Sequence, residues 1–168
     1  MFESSNQVEI NFELNGREIA AQVPVRMHAA DFLRHRLGLT GTHLGCEQGI
    51  CGMCTISVDD RPVKSCLMLA AQLDGTRVRT VESLAPEGAQ LDALQAAFKR
   101  HHALQCGFCT PGFLMLARSL AGRRLTRAEI VEEISGTLCR CTGFEGILRA
   151  IEDWLPGTLT HAETEADR

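Results

Sequence analysis

The stretch QCGFCTPG, residues 105–112, places two cysteines, separated by two residues, at the start of a predicted helix. Thr110 is predicted as the N-cap and Pro111 as the first helical residue, because proline holds φ near the helical value and needs no N–H there. A helix N-terminus favours thiolate over thiol, since its free N–H groups and positive dipole end stabilise negative charge. The C-x2-C spacing alone fits zinc sites, redox disulfides and iron–sulfur clusters. The spacing of the other six cysteines distinguishes among these three kinds of site.

The composition indicates two small metal-stabilised domains in a reducing compartment. The chain has 168 residues, and its 8 cysteines fall into two separated groups. Small domains bury limited apolar surface, so a metal centre in each would stabilise it. A net charge of -4, with no Tyr and one Trp, argues against nucleic-acid binding. Neither a signal peptide nor a membrane-spanning apolar run is visible, so we expect a cytoplasmic protein whose cysteines bind metal.

The first half of the chain predicts a small mixed sheet covered by a helix. Alternating apolar residues flank Asn15-Gly16, which predicts a type I′ hairpin turn. The resulting cross-strand pairs are Phe12 with Ile19, Ile10 with Ala21, and Val8 with Val23. Apolar positions over residues 29–37 predict the covering helix, which ends at Gly38. A strand at 54–58, a turn at 59–62, a short helix at 67–72 and a strand at 77–81 are predicted to follow.

A glycine-rich loop in this half carries GCEQGICGMC, residues 45–54. Cys46, Cys51 and Cys54 are spaced C-x4-C-x2-C, and Cys66 follows at a distance. This is the plant-type [2Fe-2S] spacing, whereas zinc ribbons usually show two C-x2-C pairs. The loop glycines let backbone N–H groups close around inorganic sulfide, and such donors favour the reduced cluster. The nearby histidines at positions 28, 35 and 43 are interpreted as solvated or core-edge residues.

The second half predicts four helices in a bundle, after a linker containing Pro86 and Gly88. The first two helices are predicted at 91–101 and 111–121, the second ending at Gly122. Capping boxes predict the starts of the other two, Thr126 with Glu129 and Thr142 with Glu145. The inward residues predicted for these two helices are Ile130, Val131, Ile134, Ile147, Leu148, Ile151 and Trp154. The predicted division is 1–82, 83–158 and a disordered tail at 159–168.

A second cysteine quartet spans this helical half. Cys139 and Cys141, in CRCTG, lie just before the fourth predicted helix and complete a set with Cys106 and Cys109. Both pairs precede helices, so two positive dipole ends would stabilise one negatively charged centre. His101 or His102 could replace a ligand, as in Rieske centres, but four cysteines already suffice.

Together these motifs resemble the small iron–sulfur subunit of the molybdenum hydroxylase family, which includes xanthine dehydrogenase, carbon monoxide dehydrogenase and aldehyde oxidoreductases. The resemblance runs from about Val8 to Leu155 and rests on the two cysteine quartets in their sequence context. It implies an α+β fold with an N-terminal plant-ferredoxin-like β-grasp domain and a C-terminal four-helix bundle. Each domain would bind one [2Fe-2S] cluster.

The resemblance also implies the roles of individual residues. Cys46, Cys51, Cys54 and Cys66 would hold the first cluster, and Cys106, Cys109, Cys139 and Cys141 the second. Gln105 and Cys141 would contact the molybdopterin of a large partner subunit. Electrons would pass singly from molybdenum to the second cluster, then to the first, then to FAD on a medium subunit. No catalytic residue is assigned to this chain.

Two departures and two alternatives accompany this interpretation. Met53 stands where the family often has a smaller residue, and Phe144 where it often has Tyr. Met53 is predicted to pack beside the first cluster and Phe144 to lie on the core face of a helix, and neither change removes a ligand.

Two alternative functions remain. They are a free-standing double-[2Fe-2S] ferredoxin, acting as a diffusible carrier, and a structural zinc protein.

Overall fold

The computed structural model describes residues 6–85 and 89–156, which form a five-stranded mixed sheet followed by a helical half. The α+β prediction is therefore confirmed. The strands are β1 Gln7–Leu14, β2 Arg17–Pro24, β3 Thr55–Val58, β4 Arg61–Lys64 and β5 Arg77–Arg79. The helices are α1 Ala29–Asp31, α2 Ala93–Arg100, α3 Thr110–Arg118, α4 Arg127–Ile134 and α5 Glu145–Trp154. The linker at 86–88 and the tail from 157 lie outside the described residues.

The β1–β2 hairpin has the predicted register. Phe12 pairs with Ile19, Ile10 with Ala21, and Val8 with Val23. Asn15 and Gly16 both have positive φ, as a type I′ turn requires. The register therefore places Ile10, Phe12 and Leu14 together in the core of the sheet half.

The covering helix is present but is shorter and less regular than predicted. Three α-helical residues, α1, continue as a π-helical segment over Phe32–Arg36. Phe32 and Leu33 are buried against the sheet, and the Phe32 and Phe12 rings lie 6.1 Å apart. The prediction that this segment covers the hairpin is confirmed.

The sheet contains one strand more than the sequence pattern indicated. Arg61 and Pro62, predicted in a turn, begin β4, and the turn narrows to Asp59 and Asp60. Because β4 is an edge strand in the order β2-β1-β5-β3-β4, proline is tolerated there. The short helix predicted at 67–72 is instead two 3₁₀ turns, Ser65–Leu67 and Ala70–Leu73, with extended residues between them.

The helical half has its own hydrophobic core. Leu94, Phe98, Phe113, Ile130 and Ile147 belong to one buried cluster that draws on all four helices. The capping box of α4 is confirmed, because the Thr126 hydroxyl accepts from the Glu129 amide and the Glu129 carboxylate accepts from the Thr126 amide. The four-helix prediction is thus confirmed for the part of the chain that the structure describes.

Three local predictions in this half are wrong. Val131 is not inward but 46% exposed. The N-cap of α3 is Cys109 rather than Thr110, because the Thr110 amide already closes a turn onto the Gly107 carbonyl. The second capping box is absent: Phe144, with φ of 69°, is the N-cap of α5, and Thr142 bonds elsewhere.

Candidate metal centres

The first quartet is assembled by one loop and one 3₁₀ turn. Cys46, Cys51 and Cys54 lie on the loop that leads into β3, and Cys66 lies on the turn after β4. The amides of Gln48 and Cys51 each donate to the Cys46 sulfur at 3.4 Å. Cys51, Cys54 and Cys66 are buried, whereas Cys46 is half-buried. The loop thus supplies two backbone N–H donors to the Cys46 sulfur, whereas the predicted donors to inorganic sulfide stay a prediction.

These surroundings shift the pKa values of two first-quartet thiols in opposite directions. Amide donors, that of Cys51 before that of Gln48, lower the pKa of Cys46 to about 6. Burial raises the pKa of Cys66 to about 11, and the adjacent Cys54 side chain adds to the rise. Cys46 therefore offers a thiolate near neutral pH, and iron binding at Cys66 must release a proton.

The second quartet is assembled from the starts of two helices. Cys106 and Cys109 precede the body of α3, with Cys109 at its N-cap, and Cys139 and Cys141 lie on the loop before α5. The sulfurs of Cys141 and Cys106 are 3.5 Å apart. Cys109 is buried and Cys139 half-buried, whereas Cys106 and Cys141 are exposed. One side of this centre therefore reaches the surface.

Hydrogen bonds and burial also separate the pKa values in the second quartet. Burial raises the pKa of Cys109 to about 12, with a contribution from the Cys139 side chain. Burial acts to raise the pKa of Cys139 as well, but hydrogen bonds from the Thr142 hydroxyl and amide, together with those from the Cys141 amide and the Cys109 side chain, leave that pKa lowered. The Thr142 oxygen lies 3.1 Å from the Cys139 sulfur.

Within each quartet the thiols make direct side-chain contacts in pairs. Cys46 contacts Cys51, Cys54 contacts Cys66, Cys106 contacts Cys141, and Cys109 contacts Cys139. Within residues 6–85 and 89–156, no three Cys, His, Asp or Glu side chains converge on a single-ion site. Pairing of this kind fits a two-iron cluster, in which each iron takes two thiolates and shares the bridging sulfides.

Two further observations fit a sulfur-rich centre in each half. All eight cysteines are free, so no disulfide competes for the ligands. The hydroxyl oxygens of Thr42 and Thr110 are buried without a protein partner. Thr110 directly follows Cys109, and a buried hydroxyl without a protein partner leaves a donor unused beside this ligand. The donor set therefore suits [2Fe-2S] clusters in both halves.

The two ligand loops are joined directly. The Leu138 amide donates to the Cys51 carbonyl at 2.9 Å, and Leu138 is covalently bonded to Cys139. A Cβ on Gly112 would overlap the Gly52 carbonyl, and one on Gly52 would overlap the Thr137 hydroxyl. Gly52 also has φ of 73°. Only glycine allows this approach of α3 and the 136–138 loop to the first quartet.

A histidine forms a second bridge between the loops. His43 Nδ1 donates to the Phe108 carbonyl at 2.8 Å, which fixes the proton on Nδ1 when the ring is neutral. The two rings stack with centroids 4.8 Å apart. His43, predicted to be a solvated or core-edge residue, therefore orders the contact between the halves.

The remaining candidate residues have clear positions. Gln105 is exposed beside Cys106, and His101 lies 3.1 Å from Asp153, on the α2–α5 contact. Met53 packs against the core of the helical half, and Phe144 packs edge-on against Phe113 at 5.7 Å. Sequence reasoning missed Leu138, which links the loops, and misassigned Thr142. The order C-x-C-T was the available signal for Thr142, since a hydroxyl three residues after Cys139 can turn back to its sulfur.

Comparison with known proteins agrees with this architecture. A family model described as "2Fe-2S iron-sulfur cluster binding domain" matches residues 12–85, and one described as "[2Fe-2S] binding domain" matches residues 80–152. The nicotine 6-hydroxylase small subunit of Paenarthrobacter nicotinovorans is 54% identical over 157 residues, or 92% of this chain and 93% of that one. The caffeine dehydrogenase subunit gamma of Pseudomonas sp. (strain CBB1) is 52% identical over 154 residues, covering 89% and 92%.

Solved structures give the same relationship. A chain of quinoline 2-oxidoreductase from Pseudomonas putida 86 superposes with a TM-score of 0.84 and 52% identity, covering 88% of this chain and 91% of that chain. The aldehyde oxidoreductase from Desulfovibrio desulfuricans ATCC 27774 matches with a TM-score of 0.82 and 31% identity, and here the match covers 86% of this chain and 16% of the longer one. The chain belongs to the family of small [2Fe-2S] iron–sulfur subunits of the molybdenum hydroxylases.

Proposed function

We propose that this chain is an electron-transfer subunit of a molybdenum-containing oxidoreductase. It passes electrons one at a time from a molybdopterin site in a large subunit, through two [2Fe-2S] clusters, toward FAD on a medium subunit or another acceptor. Cys46, Cys51, Cys54 and Cys66 would hold one cluster, and Cys106, Cys109, Cys139 and Cys141 the other. The clusters supply one-electron storage when bound.

The observation that carries this proposal is the hydrogen bond between Leu138 and Cys51. It connects a ligand of one quartet to the residue beside a ligand of the other, at 2.9 Å. The glycine contact between α3 and the first ligand loop holds that bond in place. The chain thus supplies a short hydrogen-bonded path between its two centres, which a structural zinc protein would not need.

The exposed side of the second quartet supports a contact with the large subunit. Gln105, Cys106 and Cys141 reach the surface. Exposed apolar side chains lie close to them in the sequence, since Leu104, Phe108 and Leu138 are each exposed by more than 40%. Exposed apolar groups around a cofactor site are typical of a protein interface. We therefore assign Gln105 and Cys141 to contacts with the partner's molybdopterin, and place substrate conversion in the partner.

The first quartet has an apolar rim of its own, formed by Ile50, Leu67 and Leu69. Ile50 is 59% and Leu67 65% exposed, and Leu67 packs directly over Gly49 in the ligand loop. We assign this apolar rim to the medium FAD-binding subunit. Electrons would therefore enter beside Gln105 and leave beside Leu67.

We also retain the division into an iron–sulfur domain at 1–82 and a second at 83–158, with a tail at 159–168. Separate hydrophobic cores support two domains. Val81 and Leu84 pack against the helical core, so the connection itself contributes to the junction.

None of the described helices is long and apolar enough to cross a membrane. We place the chain in the cytoplasm, where a reducing environment favours metal binding by cysteines over disulfide formation.

The function is tested on the native complex. We expect the chain to co-purify with molybdenum and flavin subunits and to contain about four irons and about four acid-labile sulfides. A chain that migrates alone with both clusters would support a diffusible ferredoxin instead. A colourless chain containing zinc would exclude both electron-transfer interpretations.

Gln105→Ala tests the direction of transfer. The variant should keep both clusters, because Gln105 is exposed and is not a ligand. Transfer from molybdenum to the second cluster should slow, as followed by rapid-freeze electron paramagnetic resonance (EPR). Iron loss or unchanged transfer kinetics would contradict the role assigned to Gln105.

A further inference from the structure

Thr142 places two hydrogen-bond donors on one cysteine sulfur. Its amide lies 3.4 Å and its hydroxyl oxygen 3.1 Å from the sulfur of Cys139. Both Thr142 and Cys139 are half-buried, so water competes only partly for these bonds. The hydroxyl was predicted to cap α5, yet the structure directs it to a ligand sulfur instead.

The geometry determines which atom donates. The Phe144 amide donates to the Thr142 hydroxyl oxygen at 3.2 Å, so that oxygen already accepts one hydrogen bond. Its own hydrogen is then free to point at the Cys139 sulfur, which as a metal-bound thiolate can only accept. Phe144 has a left-handed backbone conformation, and its ring packs edge-on against the buried Phe113. The hydroxyl is therefore oriented by a fixed neighbour.

The two quartets differ in the source of their donors. The Cys46 sulfur receives backbone amides from Gln48 and Cys51, which the loop fold supplies whatever side chains are present. Cys139 receives a side-chain hydroxyl in addition to an amide. A single substitution can remove that bond without changing a ligand.

We propose that the Thr142 hydroxyl raises the reduction potential of the second cluster by donating a hydrogen bond to the Cys139 sulfur. The inference rests on the proposed ligand role of Cys139. With the cluster bound, one electron from the large subunit's molybdenum site would reduce one ferric ion to ferrous, and no covalent bond would form or break. The reduced cluster carries one more negative charge, so a donor to its sulfur stabilises the reduced form more than the oxidised form. Thr142 would therefore act on the second cluster through the sulfur of Cys139.

The test compares Thr142→Val with Thr142→Ser in the purified complex. Valine keeps the branched shape and removes the hydroxyl, whereas serine keeps the hydroxyl. The midpoint potentials of both clusters are measured by EPR-monitored redox titration, and the signal missing from Cys106→Ala is assigned to the second cluster. We expect a more negative second-cluster potential in Thr142→Val, recovery in Thr142→Ser, and an unchanged first-cluster potential in both.

Each other outcome has a defined meaning. An unchanged second-cluster potential in a fully loaded Thr142→Val, or an equal shift of both clusters, would overturn the inference. If Thr142→Val does not bind the second cluster, Thr142→Ala is measured in its place. Failure of both variants to bind that cluster would mean that Thr142 has a purely structural role, and this would also overturn the inference. Absence of a second-cluster signal from the unsubstituted complex would contradict the proposed function itself.

Discussion

At the scale of single residues, two glycines set how closely the halves approach. Gly112 is buried in α3, where a Cβ would overlap the backbone of Gly52 and Met53. Backbone atoms cannot rotate away as a flexible side chain would, so this overlap can be relieved only by moving α3 or the ligand loop. The hydrogen bond from Leu138 to Cys51 lies within the same contact and depends on the same spacing.

We expect Gly112→Ala to destabilise the chain by about 1–3 kcal/mol, as overpacked substitutions do. A loss of stability would point to the close contact, because helix propensity alone would make the alanine variant more stable by about 1 kcal/mol. The junction should also widen, which weakens the magnetic interaction between the two reduced clusters. Thermal unfolding and EPR of the fully reduced protein measure the two effects.

Gly136→Ala is the matched control for this substitution. Gly136 lies in the same junction, but a Cβ there would meet no atom within 4 Å. The free energy of unfolding of Gly136→Ala should stay within about 0.5 kcal/mol of that of the unsubstituted chain. Equal effects of the two substitutions, or a stabilised Gly112→Ala, would contradict the close-contact explanation.

At the scale of elements, α4 is held in place by its first turn. The Thr126–Glu129 box supplies two reciprocal bonds at the N-terminus. Arg127, the first helical residue, bonds Glu145 at 2.6 Å and Glu152 at 2.7 Å on α5. One turn of α4 therefore both starts the helix and fixes it against the helix that follows the Cys139–Cys141 loop.

Thr126→Ala should lower the free energy of unfolding by about 1 kcal/mol, because the Glu129 amide loses its side-chain acceptor. Thr126→Ser keeps the hydroxyl and should retain most of the stability. Chemical denaturation of all three chains measures the difference. An unaffected Thr126→Ala would mean that α4 is held by packing and the Arg127 ion pairs alone.

The same box has a defined pH dependence. The Thr126 amide, followed by its hydroxyl, lowers the pKa of Glu129 below its ordinary value. A depressed folded-state pKa gives stability that is present above the ordinary glutamate pKa and is lost as pH falls through the folded value. The stability difference between the unsubstituted chain and Glu129→Gln should therefore shrink on acidification.

At the scale of the whole molecule, the two centres depend on separate cores. The first quartet adjoins the sheet half, and the second lies at the ends of α3 and α5 beside the helical core. Cys109 belongs to that helical core as well as to the second quartet. Metal binding and folding are therefore linked within each half.

Cys106→Ala should remove the second cluster and keep the first. Iron should fall from about four to about two per chain, with one EPR signal retained. The helical half should lose thermal stability, because its helix starts are no longer tied by metal. Loss of all the iron would show that the two centres assemble as one unit.

Local patterns were sufficient for much of this structure, and long-range contacts were not. The hairpin register followed from Asn15-Gly16 and alternation, and the start of α4 followed from Thr126 and Glu129. The edge strand β4 was missed because its proline resembles a turn residue. The sequence spacing indicated two quartets, and the structure brings each one together as pairs of thiols. Contacts such as that of Gly52 with Gly112 join residues 60 positions apart, and no local pattern encodes them.

The glycine contact also limits which domains could replace either half of this chain. The two halves meet backbone to backbone at Gly52 and Gly112. The surface of each half must therefore match the surface of the other at this point. A chimaera that joins one half of this chain to the matching half of another protein should therefore keep the junction only if the grafted half has glycine at the contact position. Each cluster domain of this chain is fitted to the other across a contact that leaves no room for a Cβ.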